Sequence, residues 1–288
     1  MLTSLIMCLM TTDPSASPTS PAAPAGRYAH GHHESVLRAH SGRTAENSAA
    51  YLLPRLRPDA RVLDVGCGAG TITVGLADRV PDGEVVGIDA AAEVIDQARG
   101  TAGAGRENLR FETGDVYRLG FADQSFDVVH AHQVLQHLTD PVAALREMRR
   151  VCRPGGLVAV RDADYAAMTW YPESDGLSRW QALYRAVARS VGGEPDAARH
   201  LPAWARAAGF SRIEPSAGAW CFATPEARQS WGETWAERIT RSRVAELAIS
   251  AGLADQADLE RIAAAWRDWS AEPDAVFYVL HGELLCTP

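Results

Sequence analysis

Residues 61–70 read Arg61-Val62-Leu63-Asp64-Val65-Gly66-Cys67-Gly68-Ala69-Gly70. The apolar run that closes at Val65 predicts a short buried strand, and residues 72–79 predict the helix after it. Between them stand three alternating glycines. Gly66 and Gly68 allow backbone angles closed to other residues and let a ligand approach the main chain. The helix that follows begins with unpaired N–H groups, and its positive end attracts a carboxylate or phosphate. Loops that hold dinucleotides use the spacing GxGxxG. Here the third glycine of that pattern would fall on Thr71, and the spacing is GxGxG. Asp64, just ahead of the glycines, would repel a pyrophosphate but suits an ammonium group, directly or through water.

Outward from this turn, strands are predicted at 84–88, 109–112, 126–129 and 157–161. Helices are predicted at 92–99 and 141–152, the latter closed by Pro154-Gly155-Gly156. Strands alternating with helices imply a mostly parallel sheet covered on both faces, an α/β Rossmann-like fold. Asp89 closes the second strand and Asp115 the third. After Asp162 the rhythm changes. Helices are expected at 174–191 and 202–208, and in two pieces over 225–269. Long strands are expected at 210–221 and 276–285, the last one antiparallel. Upstream, residues 34–56 read helical with a break at Gly42. The expected organisation is a disordered tail (1–26), an N-terminal helical lid (27–58), a ligand-binding core (59–164) and a cap of helices with the final strands (165–288).

The chain has 288 residues and a formal net charge of −8. An acidic surface repels phosphate backbones, which argues against nucleic acid as a partner. Five scattered cysteines form no CxxC pair, so neither a zinc site nor a disulfide framework is suggested. The apolar opening, residues 2–10, is far short of the roughly 20 residues that span a bilayer, so no membrane partner is expected. It lacks a basic n-region, and the first nine residues, ahead of a conventional polar start at Met10, read as an upstream translation artefact. Residues 14–26 are rich in Pro, Ala and Ser. The expectation is a cytoplasmic protein, a monomer or homodimer.

Five segments in this order resemble the motifs of the class I S-adenosylmethionine (SAM)-dependent methyltransferases: VLDVGCGAG, VVGID, FETGDV, FDVVHAHQVLQHL and RPGGLVAV. Within that family the chain looks most like the small-molecule branch that includes ubiquinone and menaquinone biosynthesis. The resemblance implies SAM as cofactor and S-adenosylhomocysteine as product. Asp89 would take the ribose hydroxyls, since a carboxylate accepts two hydroxyl hydrogen bonds, with Ala90 beside it. Asp115 would meet the adenine amino group and the Val116 N–H a ring nitrogen. Asp64, Gly66, Cys67, Gly68 and His132 would line the rest of the cofactor. The segment from Tyr28 resembles an N-terminal lid, with Tyr28, His33 and Arg43 facing the pocket. Arg43 would pair bidentately with the methionine carboxylate, and His33 would reach the substrate side.

The methyl of SAM is already activated, so alignment with the acceptor supplies most of the catalysis. An acceptor that carries a proton also benefits from a base. His137 matches a position used as base in some related enzymes, with Tyr28 orienting it; the alternative is that His137 braces its loop. Asp162, Tyr165 and Trp170 are the expected substrate contacts. Six of eight tryptophans fall between Trp170 and Trp235, as core aromatics of a helical layer or as an aromatic acceptor pocket. No metal is expected: His30, His32 and His33 have no carboxylate pattern beside them. The leading reading is methyl transfer to oxygen or nitrogen of a secondary metabolite. Methylation at carbon, a SAM-binding regulator without turnover, and an NAD(P)-dependent oxidoreductase stand behind it.

Overall fold

The structure is a computed structural model and describes residues 42–288. The described part of the N-terminal segment contains α1 (Ala45–Ser48) and a 3-10 turn at Leu53–Arg55. This corrects the continuous helix expected there. Thr44 and Asn47 cap α1 reciprocally, and Pro54 removes a donor that a longer helix would need.

The strands β1 (Arg61–Val65), β2 (Glu84–Asp89), β3 (Leu109–Thr113), β4 (Phe126–His132) and β5 (Cys152–Ala163) lie in the order β3-β2-β1-β4-β5, all parallel. Successive apolar residues of each strand face opposite sides. Val62, Val85 and Val128 pack with Leu76 and Ile95 of the helices α2 (Thr71–Arg79) and α3 (Ala92–Gly100). Leu63, Val86 and Val129 pack with Leu145 and Met148 of α4 (Pro141–Val151). Pro154-Gly155-Gly156 does not precede β5 but forms an irregularity within it. Pairing with β4 jumps from Cys152 opposite Phe126 to Leu157 opposite Val128.

The sheet order reverses between β1 and β4, and ligands bind at such a switch point, outside the carboxyl ends of the strands. Beyond β5 the sheet turns antiparallel. The long strand β8 (Val276–Thr287) pairs with β5, with the short β6 (Thr169–Tyr171) and, along nearly its whole length, with β7 (Arg212–Phe222). The helix α5 (Asp175–Ser190) belongs to a helical layer, whereas α6 (Leu201–Ala207) packs Leu201 and Ala205 under the parallel sheet. Three further helices complete the layer: α7 (Pro225–Arg241), α8 (Arg243–Ser250) and α9 (Gln256–Ala271). Two had been expected. Ser242 ends one helix and caps the next, accepting from Val244 N–H, and Gly252 at φ +66° closes α8. Trp180, Trp235, Trp266, Trp269 and Phe277 form the core of this layer. Among the described residues no helix is long and apolar enough to cross a membrane.

Candidate active site

A cavity of about 560 Å³ opens at the carboxyl ends of β1 to β4. Its floor is the glycine turn. Gly66, Gly68 and Gly70 sit at φ +68°, +55° and +82°, conformations that favour glycine. A Cβ on Gly66 would fall 2.4 Å from a Val134 methyl, so the turn also needs the missing side chain for space.

Asp89 ends β2 with both oxygens anchored. Gly68 N–H and Ala91 N–H each donate to one of them at 3.1 Å. Each oxygen keeps capacity for a further donor, so the carboxylate is fixed in orientation yet able to receive a diol. Asp115 accepts from Tyr117 N–H at 2.9 Å, a turn that holds it at the rim beside Val116. Cys67 and Ala90 also line the wall, and burial pushes the Cys67 thiol well above its ordinary range.

Asp64 borders the cavity, but its oxygens are engaged elsewhere: His130 Nδ1 lies 2.7 Å from one, and the Thr73 hydroxyl donates to the other at 2.7 Å. These bonds brace the turn, and each oxygen keeps capacity for a further donor from the cavity. The sequence groups His130 with His132 and His137 after the fourth strand without giving it a role; the pairing of β1 with β4 sets it opposite Asp64.

Beyond His132 the chain makes a sharp turn. Gln133 adopts φ +54°, a left-handed conformation uncommon outside glycine. Arg43 Nη2 donates to Gln133 Oε1 at 2.8 Å. The Gln133 amide nitrogen then faces His281 Nε2 at 2.8 Å and donates to it, which leaves the proton of that imidazole on Nδ1. The Arg43 guanidinium stands 5.5 Å from the Trp220 ring, and Trp220 Nε1 donates to Asn47 O at 2.9 Å. The start of the described chain is thereby tied across the cavity to β7. His132 is buried against this group, its imidazole held neutral by burial and then by Arg43 and Arg161.

His137 lies on the 3-10 turn Leu135–His137 and borders the cavity. Gln136 Oε1 accepts from Ala163 N–H, so the Gln136 amide nitrogen donates to His137 Nε2 at 3.1 Å. Burial, then the charges of Arg43 and Arg238, push the imidazole down to about 3. A base works best near the operating pH. As the structure stands, His137 is a neutral imidazole whose Nε2 accepts a hydrogen bond from Gln136.

Of the expected substrate contacts, only Tyr165 among the described residues reaches the cavity; it stacks on Tyr184 at 4.2 Å. Asp162 is fully buried behind the wall, accepting from Gln136 N–H at 3.0 Å, and burial pushes its carboxyl up to about 8. It pins the His137 loop instead of meeting a ligand. Trp170 stacks on Phe277 at 5.7 Å, outside the cavity lining. The tryptophans divide: Trp180, Trp235, Trp266 and Trp269 are core, while Trp220 and Trp231 line the cavity. Arg238 and Arg243, also in the wall, had no signal in the sequence. Tyr28 and His33 lie outside the described residues, as do His30 and His32. Among the described residues no cluster of three His, Cys, Asp or Glu could hold a metal ion.

A family model described as a methyltransferase domain matches residues 56–222. An uncharacterised methyltransferase of Schizosaccharomyces pombe is 37% identical over 270 residues, covering 90% of this chain and 95% of the relative. The chain belongs to the class I SAM-dependent methyltransferase family. A protein of Aspergillus luteorubrus, named as the probable methyltransferase ltbC, is 32% identical over 279 residues, covering 90% of this methyltransferase and 96% of its own length. In fold the methyltransferase is similar to Haemonchus contortus phosphoethanolamine N-methyltransferase 2, with a TM-score of 0.52 at 18% identity over 83% of this chain and 52% of that one. Its cofactor is SAM. The cavity suits that molecule: bare backbone at Gly66 and Gly68, a diol acceptor at Asp89, and a guanidinium at Arg43 beside the switch point.

Proposed function

We propose that this methyltransferase transfers the methyl of SAM to oxygen or nitrogen of a small molecule by in-line displacement. The observation that carries the reading is the continuity of one cavity. It runs from Gly66, Asp89 and Asp115 at the strand ends to a roof of Tyr165, Met168, Trp220 and Trp231. When bound, SAM supplies a methyl on a sulfonium, an electrophile that needs no further activation.

The chain's own part is placement. Asp89 fixes the ribose by two hydroxyl hydrogen bonds. Asp115 and Val116 N–H receive the adenine. Arg43, steered by Gln133, meets the amino-acid carboxylate. Trp220 and the segment around Arg43 and Asn47 close over this end, so water is excluded and the acceptor is held in line. His137, neutral and already accepting from Gln136, aligns the acceptor by polar contact and does not remove its proton before transfer. The acceptor enters as its anion or free amine, and any proton that remains after transfer passes to solvent when the product leaves.

Product formation from methyl-labelled SAM across a panel of phenols, amines and carboxylic acids tests this reading. A labelled product with S-adenosylhomocysteine release is expected. Tight SAM binding with no turnover on any acceptor class would favour a regulatory protein instead.

A further inference from the structure

Arg238 lies on α7 and is 4% exposed. Its guanidinium borders the cavity and sits 4.7 Å from the Trp235 ring. Its Nε and Nη2 atoms are buried without a hydrogen-bond partner. Among the described residues no carboxylate lies within ion-pair distance of it. Arg161 pairs with Glu283, Arg185 with Asp196 and Arg199 with Asp164, and Arg228, the other buried arginine of α7, lacks a carboxylate but donates to Ala223 O. A guanidinium taken out of water is costly unless it is paired and hydrogen-bonded.

Trp231 stands seven residues earlier on the same helix, on the same face at two turns' distance. It also borders the cavity, and its Nε1 is buried without a partner. Both groups only donate, so nothing but acceptor atoms can satisfy them. Arg243, the first residue of α8, adds a second positive charge to the same wall and makes no ion pair among the described residues. The cavity's acidic residues, Asp64, Asp89, Glu93 and Asp115, all come from the β1–β3 side. The acidic residues thus stand toward the strand ends, while the arginines come from the other walls, Arg43 from the N-terminal segment and Arg238 and Arg243 from α7 and α8.

We propose that the methyl acceptor is a carboxylic acid, whose carboxylate is gripped by Arg238 while Trp231 donates to a second oxygen of the same molecule. This rests on the reading of the cavity as a methyl-transfer site. The guanidinium fork matches a carboxylate in two parallel hydrogen bonds. Tyr165, Met168 and Val279 supply an apolar surround, which suits an organic acid whose body is apolar or aromatic. The carboxylate is the handle here, and the methylated atom lies elsewhere on the molecule, toward Gly66.

The test uses the full chain saturated with S-adenosylhomocysteine, so that failure of cofactor binding would be seen first and counted against the methyltransferase reading alone. Benzoate, salicylate and cinnamate are titrated beside their neutral amides, with inorganic phosphate as a separate arm. The acids are expected to bind at least roughly tenfold more tightly than the amides. Arg238→Met should erase that preference and Arg238→Lys should keep part of it, with S-adenosylhomocysteine affinity within about twofold and the melting temperature retained in both. Equal binding of acids and amides, or binding of neither, overturns the proposal. So does phosphate binding more tightly than every acid. A loss of more than tenfold in S-adenosylhomocysteine affinity in Arg238→Met also overturns it, because Arg238 would then hold the cofactor's own carboxylate.

Discussion

Removing the Asp89 carboxylate should cost the enzyme most of its grip on the cofactor ribose, and the geometry sets the size. The two carboxylate oxygens already accept Gly68 N–H and Ala91 N–H at 3.1 Å. What remains is one acceptor position on each, directed into the cavity, enough for the two vicinal hydroxyls. A hydrogen bond to a charged group contributes about 1.5–3 kcal/mol. Two at the lower end give about 3 kcal/mol, or roughly a 100-fold rise in Kd. Asp89→Ala also releases the two backbone donors, but they face an open cavity and water replaces the lost acceptor. Calorimetry with S-adenosylhomocysteine should show the weakening. A cycle isolates the cause: a 2′,3′-dideoxy analogue should bind wild type as weakly as the parent ligand binds Asp89→Ala, and the variant should not distinguish the two. If the variant still prefers the ribose form by tenfold or more, Asp89 does not hold the diol and the reasoning fails.

Three other perturbations follow from the same contacts. Trp220→Phe keeps the ring over Arg43 but loses the Nε1 bond to Asn47 O; at about 1 kcal/mol, KM for SAM should rise roughly fivefold in steady-state kinetics, and an unchanged KM would remove the strap from the site. His130→Ala removes a buried hydrogen-bond partner of Asp64; a buried polar atom left unsatisfied costs about 1–3 kcal/mol, and thermal melts should show a midpoint lower by about 5 °C. Stability should peak near neutrality. The buried neutral imidazoles of His132, His137 and His281 have lowered folded values, so the unfolded chain takes up more protons and stability falls as pH drops below about 6.5. Asp162 is raised to about 8 from an unfolded value near 3.8, so its contribution is lost as pH rises through that range. Melts of Asp162→Asn between pH 6 and 9 should show a flatter alkaline limb, and a limb as steep as that of wild type would assign the loss to other groups.

The parallel core and its cofactor end were legible because both are local in sequence. Apolar runs of five residues, glycines at fixed spacing and an acidic residue at each strand end are short-range patterns with one physical solution. Asp89, Asp115 and the glycine turn stand where the sequence puts them. The acceptor end was not legible because it is assembled from distant pieces. Trp231, Arg238 and Arg243 come to the cavity wall from α7 and α8, far along the chain from the glycine turn, and none sits in a pattern that periodicity reveals. Asp162 misled because position at the end of a strand does not say which side of the wall a side chain takes, and Trp170 because an aromatic pocket and an aromatic core read alike in sequence. His130 stood in between, since its pairing with Asp64 follows from sheet order but not from spacing.

The central place of β8 has a consequence for how the chain is made. More than a hundred residues separate the end of β5 from the start of β8. At translation rates of about 5–20 residues per second, the outer edge of β5 waits roughly 5–20 s for its partner. During that interval an unpaired row of backbone donors and acceptors, flanked by Val158 and Val160, is open to the wrong strand. Val279 reaches the cavity wall only when β8 docks, so the nascent domain can hold a Rossmann-like half well before it holds a complete cavity. A ribosome-stalled chain ending before residue 276 should accordingly be the species most prone to capture by chaperones.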